Sequence, residues 1–238
     1  MVDERLIVAL DFHKLDDVKN LVNELGDEVI FYKVGMELFY SVGVEVVDWL
    51  KTQNKKIFLD LKLNDIPNTV AGGLCSLMSL GADILNVHAS GGFTMMKTAA
   101  EKVHEEAARL NIACPKIIAI TVLTSINQTD WNGMGYDLIK ISDQVVRFAK
   151  LSQSAGLDGV VASPKEAKII RDACGENFLI VTPGIRPIGS DIDDQSRVSL
   201  PSYAIRDGAN YLVVGRPIRA AENPRQAALD ILEEIKDC

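Results

Sequence analysis

Asp60 and Lys62 stand two positions apart in the run FLDLKLNDIPNT, and Asp65 follows three residues later. On an extended strand that spacing puts both side chains on one face, so a carboxylate and an ammonium leave the backbone together before the chain turns into a helix. Two earlier apolar runs end in the same manner. Leu6–Leu10 leads into Asp11, and Val29–Val34 carries Lys33 as its penultimate residue. A row of alternating charges with lysine at its centre suits a reaction that builds negative charge on carbon and then protonates it. An ammonium in a water-poor site stabilises the carbanion by proximity and then supplies the proton. An acid in the same row would repel a substrate carboxylate. The competing reading is a structural ion-pair cluster, or a run of exposed charges at a loop.

A second group of residues suits an anion. Arg186 lies in PGIRP and Gly215-Arg216 lie in VVGRPI, each following an apolar run near the end of the chain. Glycine lets backbone N–H groups approach a phosphate, and arginine supplies a planar two-pronged donor. The competing reading for each arginine is a surface salt bridge.

Eight short runs rich in Val, Ile and Leu must position these groups: Leu6–Leu10, Val29–Val34, Ile57–Leu61, Ile84–Val87, Ile117–Leu123, Gly159–Ala162, Leu179–Thr182 and Tyr211–Val214. Each has the length and composition of a buried strand. Between them lie segments of helical period, such as LDDVKNLVNEL after the first and NPRQAALDILEEIK after the last, and Ser163-Pro164 reads as a helix cap followed by proline at the first helical position. Eight alternations in 238 residues predict an α/β fold, a (β/α)8 TIM barrel, as a single catalytic domain over residues 1–238. A doubly wound sheet competes, but no GxGxxG follows the first strand. The charges then fall at the C-terminal ends of the strands, where such barrels build their sites. SINQTDWNGMGYDL and PGIRPIGSDIDDQSRVS read as long strand-to-helix loops there, the second as a lid.

Composition narrows the partners. With 25 Lys+Arg against 33 Asp+Glu the net charge is −8, and the positive residues are not clustered, so nucleic acid is not expected as a partner. Hydrophobic residues at 47% and charged residues at 24% are those of an ordinary globular domain. The longest uncharged stretch, Ile66 to Ala82, is broken by Pro67, Asn68, Gly72 and Gly73 and reads as a packed helix, so no membrane span is expected. Cys75, Cys114, Cys174 and Cys238 are widely spaced, without a CxxC, as free thiols in a reducing cytoplasm would be. His88 reads equally as a ligand contact or as a hydrogen-bonded rim histidine. His104 reads as part of a solvated helix face, and Met95-Met96 as packing.

Taken together, ALD in the first strand, YKVG in the second, DLKLNDIPNT in the third, PGIRP and VVGRPI closely resemble the orotidine 5′-monophosphate decarboxylases, in their short, monofunctional bacterial form. The resemblance implies conversion of orotidine 5′-monophosphate to UMP and CO2, the last step of de novo pyrimidine synthesis, without metal or organic cofactor. It implies that Lys62 protonates C6 of the pyrimidine, that Asp60 lies near the leaving carboxylate, and that Lys33 and Asp11 hold the ribose and the charge network. It implies further that Asp65 and Thr69 reach into a partner subunit's site in a homodimer. Thr124 would contact the pyrimidine, and Arg186, Gln195, Gly215 and Arg216 would bind phosphate and close a loop over it. The role of Ser125 is not assigned. DxKxxD alone also occurs in magnesium-dependent sugar-phosphate decarboxylases and aldolases on the same barrel, which form the alternative. Those relatives carry an acidic metal ligand where this chain has Lys33.

Overall fold

The computed structural model describes residues 3–187 and 199–238. Eight parallel strands pair in chain order and close into a barrel, β1 (Leu6–Ala9), β2 (Phe31–Gly35), β3 (Lys56–Leu63), β4 (Ile84–His88), β5 (Lys116–Ile120), β6 (Gly159–Val161), β7 (Leu179–Thr182) and β8 (Tyr211–Val214), with β8 returning to β1. All eight strands expected from the apolar runs are present.

Parity along the strands separates two cores. Leu6, Val8, Tyr32, Val34, Ile57 and Leu59 face outward into the large cluster beneath the helices, whereas Ile7, Ala9, Phe31, Phe58, Ile84, Ile118, Val181 and Val213 fill the barrel. The inward rows run on toward the C-terminal end in steps of two. Ile7 and Ala9 lead to Asp11, Phe31 to Lys33 and Gly35, Phe58 to Asp60 and Lys62, and Ile84 to Asn86 and His88. The alternation that packs the apolar interior therefore also aims the charges into its mouth.

The helices follow their sequence signals. Leu15–Leu25 and Pro224–Ile235 match the two periodic segments, and Ser163 forms a capping box with Glu166 ahead of the helix Ala167–Cys174. Pro67–Met78 forms within the long uncharged stretch, with proline in its first turn. Met95 and Met96 are buried packing, His104 is exposed on the helix Gly92–Leu110, and all four cysteines are free thiols. No helix among the described residues is long and apolar enough to cross a membrane.

Several strand ends shift by one or two residues from the sequence expectation, and two differences are larger. β5 ends at Ile120, short of Leu123, because β6 has only three residues. Both the N–H and the Oγ1 hydroxyl of Thr121 donate to the carbonyl of Val161, at 3.1 and 2.9 Å, and the ladder stops there. The segment after β5, expected as loop, contains the helix Gln128–Gly133. Asn127 Oδ1 caps it by accepting the N–H of Asp130 at 2.9 Å, and the buried Trp131 donates from Nε1 to the Ile139 carbonyl at 2.9 Å.

β6 is held close to β7 by the absence of a side chain. A Cβ at Gly159 would lie 2.2 Å from the backbone oxygen of Leu179. Gly159→Ala must push two paired strands apart, and overpacking of this kind costs about 1–3 kcal/mol. Urea unfolding should show a loss in that range, and a variant as stable as wild type would disprove the contact.

Candidate active site

Strand register places the charges side by side. Ala9 pairs with Lys33 and Gly35 with Asp60, so the upper ends of β1, β2 and β3 deliver their inward residues to one point. Lys33 Nζ lies 3.1 Å from Asp11 Oδ1 and 3.4 Å from Asp60 Oδ2, and Lys62 Nζ lies 2.8 Å from Asp60 Oδ1. The order is acid, base, acid, base. Only 12% of the Lys33 side chain and 11% of that of Asp60 are exposed, so pairing must offset a substantial loss of hydration.

The protonation states follow from that geometry. Burial works against the Lys33 ammonium, but Asp60 and Asp11 outweigh it and hold its pKa above the ordinary lysine value. Burial likewise works against the Asp60 carboxylate, and Lys33, Lys62 and a hydrogen bond from Asn86 outweigh it, so its pKa lies below the usual carboxylate value. His88, at the top of β4, is pushed the other way. Burial and the nearby Lys62 ammonium both lower its pKa, with Asp60 opposing, so the ring is neutral at pH 7.

Two small residues leave room for the row. A Cβ at Gly35 would meet Lys33 Nζ at 2.9 Å and Asp11 Oδ1 at 3.5 Å, and one at Gly215 would touch Asp11 Oδ2 at 3.5 Å. Two adjoining cavities open above them. One, of about 240 Å³, is lined by Lys33, Asp60 and Lys62 on one side and by Ile120, Thr124 and Ser125 on the other. The second, of about 170 Å³, is bounded by Asp11, Lys33, Gly184, Arg186, Gly215 and Arg216. Lys33, Pro183 and Val213 line both, so the two form one elongated site with the charge row at one end and the arginines at the other.

Most of the residues expected from the sequence come together here. Thr124 is buried in the first cavity wall, and Arg186 is 8% exposed in the second, its Nη1 donating to the Ile185 carbonyl at 3.0 Å. Asp65 and Thr69 do not join their own chain's row. Both are exposed, and Asp65 Oδ1 accepts the N–H of Ile66 at 2.6 Å. Gln195 lies outside the described residues, as does most of the segment expected to form a lid. That segment's flanks are tied together, since Ile185 bridges to Ser199 and Arg186 N–H donates to the Ser199 carbonyl at 3.0 Å.

The model of the Orotidine 5′-phosphate decarboxylase / HUMPS family matches residues 4–231. The chain belongs to this family. It is 50% identical to the orotidine 5′-phosphate decarboxylase of Moorella thermoacetica, over 98% of this chain and 92% of that one. It is 47% identical to that of Haemophilus influenzae strain KW20, over 95% and 96%. The crystal structure of orotidine 5′-phosphate decarboxylase from Lactobacillus acidophilus superposes with a TM-score of 0.86 at 39% identity, covering 98% of this chain and 99% of the other.

One residue of this orotidine 5′-phosphate decarboxylase / HUMPS barrel escaped the sequence reading. Asn86, in the middle of β4 and 1% exposed, donates from Nδ2 to Asp60 Oδ1 at 2.6 Å and accepts the Lys62 N–H on Oδ1 at 2.8 Å. Its signal was present as an amide at an inward position of an otherwise apolar run. A second feature had no sequence signal. Lys62 has φ +54°, in the left-handed region that costs a non-glycine residue about 1–2 kcal/mol, and the β3–β4 register shifts between Leu59 and Leu63 around it.

The lowered pKa of Asp60 makes a linkage prediction. A carboxylate whose folded pKa is depressed adds stability above its unfolded pKa, near 3.9, and loses it as pH falls through the folded value. Asp60→Asn cannot titrate. The stability advantage of wild type over Asp60→Asn should therefore be constant above about pH 5 and shrink steadily below about pH 4. Urea titrations across that range would refute the assignment if the difference stayed flat.

Proposed function

We propose that this chain converts orotidine 5′-monophosphate to UMP and CO2, the final step of pyrimidine nucleotide synthesis, as a carboxy-lyase needing neither metal nor organic cofactor. The observation that carries the reading is the buried row Asp11–Lys33–Asp60–Lys62 at the mouth of the barrel, within a chain that is half identical to a curated orotidine 5′-phosphate decarboxylase.

The chemistry assigns each residue a task. As the C6–carboxylate bond breaks, the electron pair remains on C6 and the carboxylate leaves as neutral CO2. Asp60, beside that carboxylate, repels it in the bound substrate and no longer repels it once the charge has moved to the ring. Lys62 faces C6, stabilises the developing carbanion and transfers a proton from Nζ to carbon. Lys33 keeps Asp60 ionised and, with Asp11, holds the ribose hydroxyls. Thr124 contacts the pyrimidine from the opposite wall. Arg186, Gly215, Arg216 and Gln195 hold the 5′-phosphate, whose binding energy is used to orient the ring from a distance. The Lys33 ammonium, within 3.4 Å of both Asp11 and Asp60, opposes a divalent ion between those carboxylates, which weighs against the magnesium-dependent sugar-phosphate alternative.

The proposal extends to a cytoplasmic homodimer with shared sites, each chain acting as one catalytic domain over residues 1–238. Asp65 and Thr69 are exposed beside Ile66, which is itself 67% exposed, so this turn is available to contribute to a neighbouring subunit.

The direct test follows the loss of orotidine monophosphate absorbance on adding purified protein in EDTA. Turnover is expected, and its absence, or its dependence on added magnesium, would overturn the reading. Lys62→Ala should fold and retain less than about a tenth of wild-type kcat, equivalent to more than roughly 1.4 kcal/mol of barrier. A more active variant would remove Lys62 from the proton-transfer step.

Sharing of the site is tested by mixing. Lys62→Ala and Asp65→Asn proteins, each nearly inactive, are dissociated, combined in equal amounts and reassociated. In a mixed dimer one site carries both lesions and the other neither, so about a quarter of wild-type activity should return. Verified subunit exchange without recovery would make Asp65 a residue of its own chain's loop.

A further inference from the structure

Lys62 is asked to present its ammonium at a fixed point while its backbone occupies a conformation that lysine does not favour. Side-chain packing alone does not explain how it stays there. The residue lies where β3 and β4 fall out of register, and 23% of its side chain is exposed. Among the described residues its ammonium is held by Asp60, through the carboxylate at 2.8 Å and the carbonyl of the same residue at 3.4 Å.

Asn86 closes that arrangement from the neighbouring strand. Its Oδ1 accepts the backbone N–H of Lys62 at 2.8 Å, and its Nδ2 donates to Asp60 Oδ1 at 2.6 Å, the same oxygen that receives the ammonium. The amide thus spans the irregular stretch and satisfies an N–H that the shifted ladder does not pair. A single side chain fixes both the backbone from which Lys62 departs and the carboxylate on which its ammonium rests. The two contacts need opposite polarity, an acceptor for one and a donor for the other, which an amide supplies and a carboxylate does not.

We infer that Asn86 is the positioning residue for Lys62, holding the left-handed backbone and the Asp60 carboxylate in the relative placement that aims the ammonium into the site. The inference rests on the proposed decarboxylation only where it concerns rate. Asn86 is a positioning residue and touches no reacting atom.

The polarity requirement makes the test specific. In Asn86→Asp the introduced carboxylate still accepts the Lys62 N–H, but its second oxygen now faces Asp60 instead of donating to it. A proton added to that carboxylate restores the donor. The other charged or titratable groups around this position are Asp60 and Lys62 on β3, Lys33 on β2 behind Asp60, and His88 two residues along β4, whereas on β5 the paired residue is the apolar Ile118. All of these are common to wild type and variant, so a pH dependence in the ratio of the two activities originates in the group placed at position 86.

The measurements are kcat and KM for orotidine monophosphate from pH 5 to 8, with amide hydrogen exchange of Lys62 read against that of Leu59. Asn86→Ala is expected to lower kcat at least 30-fold with KM within threefold of wild type, and to speed Lys62 exchange at least tenfold while Leu59 is unchanged. For Asn86→Asp, Lys62 should keep its protection, and kcat relative to wild type should be low at pH 8 and climb as the pH falls. Asn86→Ala with kcat within threefold of wild type would overturn the inference, as would an Asn86→Asp profile parallel to wild type. Should wild type itself fail to turn over orotidine monophosphate, the functional reading fails separately. Lys62 exchange then decides alone, and unchanged exchange in Asn86→Ala would overturn the hold.

Discussion

Asp60 spreads its charge over three donors, the ammoniums of Lys33 and Lys62 and the amide of Asn86, and nearly all of the surrounding structure is arranged to keep those three within reach. A carboxylate this buried is tolerated only while it is fully compensated, since one missing partner leaves a desolvated charge. Each partner comes from a different place in the sheet. Lys33 is supplied by β2, Lys62 by the irregular end of the carboxylate's own strand, and Asn86 by β4. The closed barrel is therefore a condition for the ionised state as well as a scaffold, because opening any of these strand pairs would strand the charge.

The division of the site into two ends has the same origin. The charge row occupies the top of the first three strands, where inward positions are long and polar, whereas Gly184, Arg186, Gly215 and Arg216 follow the last two, where glycine keeps the backbone bare. Lys33 lines both cavities, and Asp11 stands beside it in the second. A ligand with a reacting ring at one end and an anion at the other would be gripped at both, which is how binding far from the reacting carbon acquires leverage over it.

Much of this could be read from residue order, and the reasons are local. Apolar runs of strand length marked all eight strands, and a spacing of two put Asp60 and Lys62 on the same face. What escaped depended on contacts between strands. The left-handed backbone of Lys62 arises where two strands lose register, which no single segment encodes. Asn86 did have a signal, a polar side chain at an inward step of an apolar strand, but its meaning appeared only when Asp60 and Lys62 stood opposite. Asp65 lies only three residues beyond Lys62 in the sequence, yet it does not join the row of its own chain. The turn before Pro67 instead leaves Asp65 at the surface with its carboxylate on the following N–H.

The shortness of β6 bears on the shape of the cavity. With only three residues in that strand, hydrogen bonding between β5 and β6 stops at Val161, and the chain beyond Ile120 leaves the sheet. Val122, Leu123, Thr124 and Ser125 then form one wall of the site. This wall is main chain that has left the sheet, and its place follows from where the β5–β6 ladder ends. Lengthening β6 by a residue pair would extend the ladder, draw Val122 and Leu123 back into the sheet and move that wall. Two proteins with every charged residue in common would then admit ligands of different width, so substrate breadth in such a barrel can be altered from the backbone, without touching the groups that do the chemistry.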